Sequence, residues 1–144
     1  MKLIQRNRDA AYLQYDKYVD FDNPMVMEKA MDLTKNCRSV YEKIETIYYF
    51  VRDEIDHTWD AKDSTITISA SDVLEKKTGI SYSKANLLAA LMRANGIYTG
   101  FCYQRIKRFT YDNKLALHAL NAVFEPDVKK WIRLDARGNN YQFQ

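Results

Sequence analysis

Apolar residues recur every three to four positions through much of the first two thirds of the chain and every second position after Gly96. The longest helical stripe is Val40, Ile44, Ile47, Tyr48, Val51 and Ile55, with Glu45, Arg52, Asp53 and Glu54 mainly off it. Ser39-Val40-Tyr41-Glu42 opens it with capping-box spacing, so a helix is predicted from about Ser39 to Asp56. Upstream, Asp22-Asn23-Pro24 offers a capping side chain followed by proline, and Met25 to Asn36 keeps helical spacing through Met27, Ala30, Met31 and Leu33. The methionines suit an adaptable surface, but core filling is the simpler reading. Residues 1–20 have irregular apolar positions and predict an arm or short helix.

The stretch from Gly79 to Ile97 is patterned differently. Ala85, Leu88, Ala89 and Met92 form one helical row, and Leu87, Leu91 and Ala94 another. A helix that is apolar nearly all round is a buried one. Gly79 is expected to break the preceding segment, and Asn95-Gly96 to supply the left-handed stop. Ser81 then lies at the amino end of a buried helix, where unpaired N–H groups and the positive dipole end converge. It can be a cap and no more, or it can sit where a nucleophile's anion or an oxyanion would be stabilised.

Between these helices, His57 to Ala70 reads as a connection with a β-like piece at Thr65-Ile66-Thr67-Ile68. Trp59 in it is a packing residue or a cleft aromatic. Ser69 or Ser71 is expected to cap a short helix through Glu75 that Thr78-Gly79 ends. After Gly96, alternation of Ile97, Thr99, Phe101 and Tyr103 with Tyr98, Gly100, Cys102 and Gln104 predicts a strand. A second is expected over Ile106–Tyr111, turned by Asp112-Asn113-Lys114, and a third over Leu115–Phe124, turned by Glu125-Pro126-Asp127. Trp131–Leu134 makes a fourth. Helices first and hairpin-linked strands afterwards describe an α+β domain with an antiparallel sheet, spanning residues 1–144 as one unit.

Composition narrows the function classes. A net charge of +3 is too small for a nucleic-acid footprint, and Arg105, Lys107 and Arg108 alternate with apolar residues as the outer face of a strand does. No window approaches the roughly 20 apolar residues of a membrane span. Met1 to Asn7 lacks the apolar run of a signal peptide. Two distant cysteines, Cys37 and Cys102, make no disulfide framework, so reduced thiols in the cytoplasm are expected. His57 and His118 lie far apart with no Cys-x-x-Cys nearby, so no metal site is expected, and phosphate-loop and dinucleotide motifs are absent.

Three residue types remain that could carry chemistry. His118 shares its strand face with Ala116, Leu120, Ala122 and Phe124, as a satisfied core histidine would; Asp135 ends a strand, as turn aspartates do. Cys102 lies inside an alternating strand with no helix dipole to lower its pKa and reads as an inert small core residue.

Their order along the chain adds a resemblance. Gly79-Ile80-Ser81-Tyr82, the helix to Leu91-Met92-Arg93-Ala94-Asn95-Gly96-Ile97, His118-Ala119, and Trp131-Ile132-Arg133-Leu134-Asp135 resemble the core of the transglutaminase-like superfamily over about residues 71–139. The resemblance implies a papain-like fold and a Cys-His-Asp triad, with the nucleophile's position at Ser81, the imidazole at His118 and the orienting carboxylate at Asp135. It implies acyl transfer at peptide or protein amides, as a cysteine peptidase or amidase, without a cofactor. With no calcium-loop motif, hydrolysis is the expected branch over metal-regulated cross-linking.

Ser81 departs from the family's cysteine. A deliberate change that disables the enzyme, a natural pseudoenzyme that binds peptides, and a Ser-His-Asp hydrolase are the three explanations. The family's sheet often runs further than the nine residues left after Asp135, which would make this a compact or truncated form.

Overall fold

The computed structural model describes residues 9–57, 66–107 and 115–137. A 3-10 helix at Asp9–Leu13 leads into helices α1 (Pro24–Thr34) and α2 (Val40–Glu54). Then come the short strand β1 (Asp56–His57), α3 (Ala70–Lys76), the short strand β2 (Thr78–Gly79) and α4 (Ser81–Ala94). The chain closes with β3 (Thr99–Lys107), β4 (Leu115–Glu125) and β5 (Lys130–Leu134). The expected α+β architecture is present.

Local chemistry sets the first three helix starts. The Asn23 side chain accepts the Met25 N–H, with Pro24 in the first turn, and Ser39 Oγ accepts the Glu42 N–H. The capping box is only half formed: Glu42 Oε2 accepts from Arg38 N rather than from Ser39 N. Of the two candidates before α3, Ser69 is the cap and accepts the Asp72 N–H, while Ser71 is bound to Asp20. The α2 stripe enters the core as expected, with Ile44, Ile47 and Val51 buried.

Gly79 does not break the segment before α4. The turn is made by Lys77 in the left-handed region (φ 55°), and Thr78-Gly79 pairs in parallel with Asp56-His57. Gly79 is needed for close approach: a Cβ there would lie 2.6 Å from Ser83 Oγ. At the other end of α4 the expected left-handed stop is found at Gly96 (φ 73°).

The core forms around α4. Leu87, Leu88, Ala89, Ala90, Leu91 and Met92 are fully buried, against Val26 and Ala30 of α1, Ile47 and Val51 of α2 and Val73 of α3. Each large apolar side chain so buried contributes about 1.5–3 kcal/mol relative to exposure. Two long polar residues go inside with their charges bonded. Lys84 is 1% exposed and its Nζ donates to Ile55 O at 2.7 Å. Arg93 donates from Nε and Nη2 to Thr99 O and from Nη1 to Gln14 O. Burial pulls the Arg93 pKa down, opposed by the charge of Asp16.

The sheet is antiparallel in the order β3-β4-β5, so β4 is central, and residues 118–123 are buried without alternation. Asn121 Nδ2 reaches the Ala85 carbonyl of α4, placing Ala119, Asn121 and Val123 on the helix side. The Tyr12 ring, from the 3-10 helix, packs on Trp131, which in turn meets Phe124.

Two strand expectations are corrected. Ile106 and Lys107 continue β3, because β3–β4 pairing runs unbroken from Thr99–Val123 to Lys107–Leu115, so no separate strand begins there. Residues 66–68 pair with no strand; Thr67 is instead anchored through its hydroxyl. Trp59, Thr65, the Arg108–Tyr111 part of the expected strand and the Asp112-Asn113-Lys114 turn lie outside the described residues.

Candidate functional site

Ser81 is the first residue of α4, so the expected buried helix starts there. It is not the cap. That position belongs to Ile80, whose side chain can make no capping bond. The first-turn N–H groups of α4 therefore have no cap side chain, unlike those of α1, α2 and α3.

The lead into Ser81 is held from below. Thr67 Oγ1 donates to Thr78 O at 2.9 Å and lies 3.2 Å from Ser83 Oγ, which donates to Ile80 O at 3.2 Å. Lys84, three residues on, ties the same turn to the end of α2. The serine is thus presented on fixed backbone. Its own hydroxyl is loosely engaged: Ser81 Oγ accepts from Ala119 N at 3.5 Å, well beyond the usual N–H···O distance of about 2.9–3.0 Å. This contact lies past the last β4–β5 pair, Asn121–Leu134, where Ala119 has no β5 partner.

His118, the residue before Ala119, is 4% exposed. Its Nε2 lies 2.6 Å from Asp135 Oδ2, just past the end of β5. Asp135 is fixed in turn, because Oδ1 accepts the Arg137 N–H at 3.0 Å. A carboxylate on Nε2 favours the tautomer with the proton on that nitrogen and leaves the Nδ1 lone pair as the basic position. His118 of β4 and Asp135, just past β5, thus meet directly, and Ser81 at the start of α4 meets β4 through the N–H of Ala119, the residue after His118.

Cys102 is half-buried on β3, paired with Leu120. Burial pushes its thiol pKa up, against a smaller opposing effect of Arg133, which fits an unreactive thiol. Among the described residues no group of three His, Cys, Asp or Glu side chains could hold a metal ion, and no helix is long and apolar enough to cross a membrane. A cavity of about 740 Å³ lies elsewhere, lined by Met25, Lys29, Phe50 and Leu74 among others, and includes none of Ser81, His118 and Asp135.

Sequence reasoning passed over Lys84 and the tyrosines beside Ser81. Lys84 had a signal, one of two cations, with Arg93, in a helix otherwise apolar nearly all round. Tyr82 and Tyr103, whose ring centroids stand 6.1 Å apart, come from separate elements and had none.

Comparison with known proteins follows the same lines. The chain is similar in structure to a candidate cysteine protease from Cytophaga hutchinsonii, at 21% identity over 90% of this chain and 42% of that one, with a TM-score of 0.71. It is similar to the periplasmic domain of TgpA from Pseudomonas aeruginosa, at 17% identity over 89% and 46%, TM-score 0.64. It is also similar to a candidate protease from Parabacteroides distasonis, at 15% identity over 94% and 31%, TM-score 0.59. At these identities the likeness is one of fold, and this chain spans less than half the length of each. No curated protein matches. The model of the transglutaminase-like superfamily core matches residues 28–136, so the resemblance read from residue 71 onward extends back through α1 and α2. The chain belongs to the transglutaminase-like superfamily.

Proposed function

We propose that this chain carries the scaffold of a cysteine peptidase or amidase acting by acyl transfer on peptide or protein amides, with Ser81 at the nucleophile's position. His118 is the base and Asp135 the carboxylate that orients it. The observation that carries this reading is the 2.6 Å bond from His118 Nε2 to Asp135 Oδ2, with the N–H of the next residue, Ala119, against Ser81 Oγ at the uncapped start of α4. A histidine held by a carboxylate, next to a nucleophile at a helix amino end, is the arrangement acyl transfer requires.

With a thiol at position 81 the sequence of steps is direct. His118 Nδ1 takes the thiol proton, and the thiolate attacks the amide carbonyl. First-turn N–H groups of α4 stabilise the oxyanion. The imidazolium returns the proton to the departing amine, leaving a thioester. Water then attacks, giving up its proton to His118, and the acid and thiol are released. A serine hydroxyl is a far weaker acid than a thiol, whose reference pKa of about 8.5 falls beside an imidazolium and a helix amino end. A site shaped around sulfur serves oxygen poorly, so the Ser81 form is inactive by this reading.

The second reading is a catalytically dead module that binds peptides in the same cleft; Ser81 itself favours it. Peptide or protein chains are the partners in both, with neither nucleic acid nor membrane. Two free thiols, Cys37 and Cys102, support a cytoplasmic setting. The deciding experiment is Ser81→Cys, assayed for iodoacetamide alkylation near neutral pH, for peptide amide cleavage and for an acyl adduct by mass spectrometry. A fast-reacting thiol with turnover supports the enzyme. A thiol that titrates like an ordinary exposed cysteine, with no amide turned over, replaces it with the binding module.

A further inference from the structure

Five of the large apolar side chains left in water belong to three segments joined around the start of α4. Ile66, Ile68, Ile80, Tyr82 and Tyr103 are between 38% and 81% exposed. Ile80 and Tyr82 flank Ser81 in the chain. Tyr103 pairs across the sheet with Ala119, whose N–H meets Ser81 Oγ, and its ring is tilted against that of Tyr82 with centroids 6.1 Å apart. Ile66 and Ile68 stand on either side of Thr67, which is buried and bonded to Thr78 O. Asn86 Nδ2 of α4 holds the Ile68 carbonyl at 2.9 Å. The isoleucines are turned outward by anchored backbone.

Exposed apolar groups gathered in one region mark a surface that something covers. We infer that Tyr82, Tyr103, Ile80 and the Ile66–Ile68 segment form the specificity wall of the candidate site, and that its occupant is an aliphatic or aromatic side chain of an extended peptide, next to the amide presented to residue 81. This rests on the acyl-transfer reading for the location of that amide. The occupant is set by two observations. The wall is continuous with Ser81 on both sides in the chain. None of its five side chains carries a charge, so a charged residue seated there would lose water without gaining a partner. The tyrosine hydroxyls supply polar tips for peptide backbone, as aromatic recognition surfaces commonly do.

The test uses the Ser81 protein with acetyl-Ala-X-Ala-amide peptides, where X is Phe, Leu, Ser, Lys or Glu, and binding followed by calorimetry. Phe and Leu peptides are expected to bind about tenfold or more tighter than Lys and Glu peptides, the range a shaped apolar pocket gives. Tyr82→Ser with Tyr103→Ser should abolish that preference. Melting curves check the fold, and Ile80→Ser with Ile68→Ser repeats the test if the tyrosine pair unfolds. Equal binding of all five peptides overturns the inference, as does a preference that survives both double variants. So does a finding that the wall only mediates self-association, seen as a dimer that the tyrosine variant dissolves. The two readings fail separately. Turnover by Ser81→Cys with no preference at X removes the wall and leaves the reaction; apolar preference with no turnover removes the reaction and leaves the wall.

Discussion

Helices α3 and α4 are consecutive, and each begins beside a serine. Ser69 stands one residue before its helix, in extended backbone, and its hydroxyl accepts the Asp72 N–H at 3.2 Å. Ser81 is one residue further in, inside its helix, and its hydroxyl turns to the neighbouring sheet at 3.5 Å. A shift of one position thus takes a serine from closing a helix end to standing in front of one. At α4 the residue that could have closed the end is Ile80, which has no polar atom in its side chain. The cap that Ser69 supplies at α3 has no side-chain counterpart at α4. A helix start that forgoes its cap has given up about 1 kcal/mol of local stability, and under the proposed function α4 is the end where that is put to use.

The sharpest test of this contrast is on activity. In a Ser81→Cys background, His118→Ala should lower amide turnover by a factor on the order of 10³–10⁴, and Asp135→Asn by a similar factor, without a matching loss of melting temperature. The new thiol should be alkylated far faster than Cys102, whose raised pKa leaves less thiolate at neutral pH. Equal rates at the two thiols would erase the distinction drawn for α4.

Next in size is the support under Ser81. Gly79→Ala would set a Cβ against Ser83 Oγ, a hydroxyl already bonded to Ile80 O, and overpacking of this kind costs about 1–3 kcal/mol by denaturant unfolding. Adding Ser83→Ala should recover part of that loss; no recovery would mean the clash lies elsewhere.

The smallest effects are those of the serines on stability. Ser69→Ala should cost about 1 kcal/mol as a lost cap. Ser81→Ala should change stability by less than about 0.5 kcal/mol, since it removes one long hydrogen bond. Equal costs in calorimetry would make both serines structural.

The sequence was legible where a period or a cap forces the backbone. The α2 stripe, the buried α4 and its stop at Gly96 all follow from residues acting within one element. The order of Ser81, His118-Ala119 and Asp135 carried the family, because a resemblance in residue order needs no knowledge of how the segments meet. Illegible were features that depend on two segments meeting. The role of Gly79 as a close-packing residue needs Ser83 and Thr67 folded against it, so its chemistry read as a break. The single β3 strand needed its pairing with β4 to show that no turn falls before Ile106. Which nitrogen of His118 faces Asp135 is a matter of ring orientation, and no pattern of residue types encodes that.

The turn between β4 and β5 has a consequence for how this protein can change over generations. Glu125 Oε2 accepts the Val128 N–H, and Lys129 adopts a left-handed conformation (φ 53°), so six residues from Glu125 to Lys130 bring the chain back in fixed register. His118 lies before that turn and Asp135 after it, and their meeting depends on the number of residues between them more than on what those residues are. Exchanges of side chain at Pro126, Asp127 or Val128 leave the count intact. An inserted or deleted codon there, if taken up as a slip in pairing, moves Asp135 by one place and to the opposite side of the pleat. For this hairpin, inheritance of length is more tightly constrained than inheritance of identity.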